Sequence, residues 1–133
     1  MKNYLVALFG EAEKGSFQTL TYIQTMSQLM DIFGHPPEDT LGIPLAIQTL
    51  LYKRELIYFR VQEEGFSSED YLSGIEQLEK CTAAQHLSAI CMPGVGDHTI
   101  IDASFKLCEK RGSIFITSPQ DLFDLLLTYG ESA

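Results

Sequence analysis

Basic side chains are scarce in this sequence. Nine Lys and Arg stand against eighteen Asp and Glu, a formal charge of -9 over 133 residues. Nucleic-acid binding rests on cations that neutralise phosphates, so the balance opposes that partner, and it opposes adsorption to anionic membrane surfaces as well. No apolar stretch approaches the roughly 18 residues of a membrane span, and the apolar run near Met1 ends too soon for a secretory signal with a cleavage site. Cysteine is equally sparse. Cys81, Cys91 and Cys108 are odd in number, widely spaced and without a CxxC pair. That pattern removes the case for a disulfide framework or a zinc site, and reduced thiols in a cytoplasmic protein are expected. Repeats, low-complexity tracts, the Gly-x-Ser-x-Gly elbow and the Gly-Lys-Ser/Thr phosphate loop are all missing.

What is present reads as one globular domain spanning 1–133. The apolar fraction is 45%, and a chain of this length buries about two-thirds of its unfolded surface. Four short apolar runs have strand character: 4–9 (YLVALF), 55–61 (ELIYFRV), 87–92 (LSAICM) and 113–117 (SIFIT). Helical periodicity fills 41–53, the stretch opened by Ser67 or Ser68 with Glu69 and Asp70, 99–111 with its Lys-Arg-Gly end, and the segment that starts at Pro119. Residues 17–26 favour a strand or loop, with Ser27 as cap of a short helix over 28–33; one long helix is the competing reading. Alternating strands and helices predict an α/β single-domain three-layer sandwich. Its sheet is mostly parallel, with four or five strands, of the Rossmann or flavodoxin kind.

Parallel connectivity gathers the strand C-terminal ends on one edge, where ligands of such folds bind. Four loops supply the candidates. The first carries Gly10, Glu11, Glu13, Gly15 and Ser16; Arg60 ends the second strand, ahead of Glu63 and Glu64. The third holds Gly94, Gly96, Asp97, His98 and Thr99, and the fourth holds Ser118. Glycines admit close backbone approach, and N–H groups at the helix start near Asp97 and Thr99 can receive a phosphate or carboxylate. Arg60 is an anion clamp or an ion-pair partner for a nearby Glu. Crowded carboxylates (Glu11, Glu13, Glu63, Glu64, Asp97, Asp102) can share a proton, act as nucleophile or acid and base, or hold Mg²⁺. His98 is the best-placed proton donor. No transition metal or other cofactor is indicated.

The segments Asp97-His98-Thr99-Ile100-Ile101-Asp102-Ala103-Ser104-Phe105 and Lys110-Arg111-Gly112-Ser113-Ile114-Phe115-Ile116 together resemble a helix-and-strand part of nucleoside 2-deoxyribosyltransferase-like proteins. The resemblance implies chemistry on nucleosides, with Asp102 as the nucleophile toward the sugar. The sequence departs from that family in three respects. The acid is Asp rather than Glu, His98-Thr99 replaces a Gly-Thr pair, and the first loop lacks the aromatic-rich ligand motif.

Two functions compete. One is a site for a small anionic or nucleotide-like ligand at the strand ends, with Glu11, Glu13, Asp102 and His98 as catalytic candidates. The other is a non-enzymatic interaction module, assembling as a homo-oligomer through the last helix. Leu122, Phe123, Leu125, Leu126, Leu127 and Tyr129 make that helix apolar nearly all round.

Overall fold

The computed structural model describes residues 5–131, so Tyr4, expected to open the first strand, lies outside them. Five strands form one sheet in the order β2-β3-β1-β4-β5. The central strand β1 (Leu5–Gly10) is buried along its whole length and pairs in parallel with β3 (Glu55–Arg60) and β4 (Leu87–Cys91). At one edge β5 (Ile114–Ile116) runs parallel to β4. At the other, β2 (Leu20–Ile23) runs antiparallel to β3.

A strand that faces apolar neighbours on both sides must be apolar at every position, and β1 obeys this. Val6 and Leu8 point into one cluster with helices α1 (Met26–Phe33), α2 (Gly42–Leu51) and α5 (Pro119–Glu131). Leu5, Ala7 and Phe9 alternate with them and enter a second cluster with α3 (Ser68–Lys80) and α4 (His98–Arg111). Helices therefore cover both faces of the sheet. Among the described residues no helix is long and apolar enough to cross a membrane.

Local signals from the sequence hold with two corrections, at the caps of α1 and α3. The ambiguous stretch does become a strand followed by a helix, but Thr25 caps α1, not Ser27. The Thr25 hydroxyl accepts from the Gln28 N–H while the Gln28 side chain accepts from the Thr25 N–H, a reciprocal capping box. Ser67 stands at the start of α3, but its hydroxyl turns back to the Glu63 backbone instead of capping the helix. The last helix spends most of its apolar surface internally. Leu122, Leu125 and Leu126 are buried, Phe123 packs against the same cluster, and Leu127 alone of these is exposed, at 48%. The Tyr129 side chain lies outside the described part.

Candidate functional site

Because β3, β1, β4 and β5 are mutually parallel, their C-terminal ends do share one edge of the sheet. The centre of that edge is the end of β1, and a carboxylate from the neighbouring loop occupies it. Glu64 Oε2 accepts from the N–H groups of Glu11 and Gly42, and its Oε1 accepts from that of Leu41, each at 2.9 Å. Glu11 answers in kind: its Oε2 accepts from the Glu64 N–H at 3.0 Å. Leu41 stands at the cap position of α2 and has no side-chain acceptor of its own. Glu64 thus caps α2 from 23 residues away, where the helix presents unpaired N–H groups and the positive end of its dipole.

Two glycines make the space for that carboxylate. A Cβ on Gly10 would stand 2.5 Å from Gly42 Cα and 2.9 Å from Glu64 Oε2; one on Gly42 would stand 2.2 Å from the Tyr58 hydroxyl oxygen. Two buried tyrosines complete the floor. The Tyr58 O–H donates to the Glu11 carbonyl at 2.7 Å, and the Tyr71 hydroxyl accepts from the Gly65 N–H at 2.7 Å. Burial, reinforced by the Glu64 charge, holds both phenols well above their ordinary titration range, so both stay neutral.

The loop after β3 then reaches over the end of β1. Gly65, at φ +86°, packs so closely on the loop after β4 that a Cβ would meet the Gly94 carbonyl oxygen at 2.6 Å. What the topology suggests as an open crevice is bridged at this point by the chain itself.

The sequence-derived candidates fall into two groups. Gly10, Glu11, Gly15 and Arg60 are brought together, with Glu64 and Tyr58, around the end of β1. Arg60 is not an open clamp. Its guanidinium donates to the carbonyls of Gly15 (2.6 Å) and Ala12 (3.0 Å) and lies 4.0 Å over the Phe17 ring, so it staples the first loop. Glu13 also serves that loop, its carboxylate accepting from the His35 N–H at 2.9 Å beyond the end of α1. Ser16 is exposed.

The second group lies around the start of α4. Asp97 caps that helix, accepting from the N–H groups of Thr99 (2.8 Å) and Ile100 (3.2 Å), so the anion slot expected there also holds a protein carboxylate. His98, Thr99 and Asp102 are exposed, and a side chain at Gly96 would meet nothing within 4 Å. Ser118 accepts from the Asp121 N–H at 3.3 Å as the cap of α5.

Glu64, one of the crowded loop carboxylates expected at this edge, carries more of the site than the other candidates. Tyr58, Gly42, Tyr71 and Asp70 were missed. Asp70, buried, accepts from the Gln62 N–H (2.8 Å) and the Gln18 side chain (3.2 Å), joining the ends of the second loop and the segment before β2. The one local hint was the Glu64-Gly65 pair in the short loop after β3. Among the described residues no group of three or more His, Cys, Asp or Glu side chains could hold a metal ion, which leaves the Mg²⁺ expectation without a set of ligands. No family model, curated protein or solved structure matches the chain.

Proposed function

We propose that this chain binds a small anionic ligand, a phosphate- or carboxylate-bearing molecule of nucleotide-like size, at the C-terminal edge of its sheet. The observation that carries the reading is the cradle at the end of β1. Three backbone N–H groups, from Glu11, Leu41 and Gly42, converge on one carboxylate where two glycines leave no side chain in the way. Such a cradle is an anion receptor by construction. The Glu64 carboxylate is its occupant in the ligand-free protein, and a ligand anion takes its place when the loop after β3 swings outward. On this reading the fold is a three-layer, flavodoxin-like sandwich, and the three thiols fit a reducing cytoplasm. Whether chemistry follows binding rests on Asp102 and His98, which α4 presents to solvent beside the same edge.

The test is thermal denaturation of the wild type and of Glu64→Ala with inorganic phosphate, nucleotides and sugar phosphates. Removing the resident carboxylate vacates the cradle. Glu64→Ala should melt lower than wild type and gain more from a phosphate-bearing ligand. At 100 times Kd that gain is about 2.7 kcal/mol. If millimolar ligand leaves both proteins unmoved, the reading is wrong.

A further inference from the structure

We infer that the ligand is an amino-carboxylate, its carboxylate seated in the cradle at the end of β1 and its ammonium on the Glu11 side chain. The inference rests on the anion-binding reading above and narrows it to a carboxylate with a nearby N–H donor, in preference to a phosphate.

Glu64 gives the shape of what the cradle accepts, and its carboxylate is only half of that shape. Oε2 receives the N–H groups of Glu11 and Gly42, and Oε1 receives that of Leu41. The Glu64 backbone N–H donates in return to Glu11 Oε2 at 3.0 Å. The group held here is therefore bifunctional: an acceptor carboxylate and a donor nitrogen, with only Cα, Cβ and Cγ between the nitrogen and the carboxyl carbon. γ-Aminobutyrate has the same skeleton, and so does free glutamate read from its amine to its side chain. A ligand that displaces Glu64 takes over both halves of this exchange or leaves one of them open.

The half it takes over from Glu11 decides its class. Glu11 is positioned before a ligand arrives. Its carbonyl accepts from the Tyr58 O–H at 2.7 Å, and the Gly10 carbonyl just before it accepts from the Val61 N–H at 2.9 Å. When the loop after β3 moves out, the partly buried Glu11 carboxylate loses the Glu64 N–H, and an acceptor left unmatched there is costly. A ligand ammonium restores that bond in charge-assisted form, stronger than the amide N–H it replaces.

Charge argues in the same direction. Exchanging Glu64 for a ligand carboxylate leaves the charge inside the cradle as it was. A phosphate dianion adds a further negative charge beside Glu11, where the charges of Glu64 and Glu11 already help to hold the buried Tyr58 phenol neutral. Arg60 does not offset that charge, because its guanidinium donates to the carbonyls of Gly15 and Ala12. An amino-carboxylate is neutral overall, so a chain of charge -9 does not repel it at long range.

Calorimetric titration of the full chain tests this with two probes that differ only in the ammonium, γ-aminobutyrate and butyrate. Wild type and Glu64→Ala are each titrated at constant ionic strength, with inorganic phosphate as the third probe. γ-Aminobutyrate should bind about five- to tenfold more tightly than butyrate, and more tightly than phosphate. Glu64→Ala should bind every probe more tightly than wild type does, because no resident carboxylate competes. Adding Glu11→Gln, which keeps the shape and removes the charge, should bring γ-aminobutyrate and butyrate to within about twofold of each other. The wild type guards against misfolding of Glu64→Ala: competition from Glu64 weakens both probes equally, so their ratio survives at higher concentrations. Equal binding of the two probes, a preference for phosphate, or a preference that persists in Glu11→Gln overturns the inference and leaves the anion-binding reading standing. If no probe binds either protein, both fall.

Discussion

Replacing Glu64 by Gln changes one oxygen to an amide and leaves the shape alone, which isolates what the carboxylate does. Oε2 receives two N–H groups and Oε1 receives one. The amide does best with its oxygen at the Oε2 position, keeping the bonds from Glu11 and Gly42. Its NH2 then faces the Leu41 N–H, and one donor is left opposed and unpaired. An unsatisfied donor costs about 1–3 kcal/mol, and the two surviving bonds each fall from the charged to the neutral class, a loss of about 1 kcal/mol apiece. The charge at the start of α2 adds about 0.3–1 kcal/mol. Glu64 is only partly buried, and water offsets a share of each term. A destabilisation of about 2–4 kcal/mol is therefore expected.

Urea unfolding followed by circular dichroism reads this directly. At a slope of about 2 kcal/mol per molar, the midpoint falls by about 1–2 M. Glu63→Gln, at the exposed neighbour whose side chain makes none of these bonds, should stay within about 0.5 kcal/mol of wild type. If Glu64→Gln also stays within that margin, water already satisfies the three N–H groups and the cradle argument fails.

Three further outcomes follow from the same geometry. Gly42→Ala must push backbone or the Tyr58 ring aside and should lose about 2 kcal/mol or more, whereas Gly96→Ala, with nothing nearby and an ordinary φ, should be neutral or gain about 0.4–1 kcal/mol; equal denaturation midpoints would contradict the close packing at the end of β1. Burial raises the folded pKa of Tyr58 and Tyr71 above the unfolded value near 10, so their contribution is complete below about pH 10 and is lost as pH climbs beyond it, at up to about 1.4 kcal/mol per pH unit for each phenol. Urea titrations at successive alkaline pH values measure that slope, and Tyr71→Phe should lower it by one proton. Burial also pushes the Cys108 thiol up to about 11 and raises Cys91 further. At pH 8 a colorimetric thiol reagent should therefore react readily with half-exposed Cys81 alone and reach the other two only after denaturant is added. Three thiols reacting at one rate would refute the burial.

The amino-acid order by itself determined the elements and the core of this protein. Its sheet strands are contiguous apolar runs because β1, β3 and β4 are buried on both faces, and a signal of that kind needs no knowledge of partners. The caps at Asp97 and the Lys-Arg-Gly end of α4 were legible for the same reason, since donor and acceptor lie within one turn of each other. Tertiary structure alone decided the rest. The antiparallel direction of β2 depends on which strand it meets, and Tyr22 or Thr21 encodes nothing about that. The end of β1 depends on it still more. Glu64 looks like a solvated loop acid until the fold sets it against α2, and Arg60 looks like an open cation until the carbonyls of Ala12 and Gly15 arrive. A helix without a local cap gives no hint of which distant carboxylate will supply one. Hydrogen bonds between residues far apart in the chain leave no periodicity behind, so the edge was foreseen and its occupant was not.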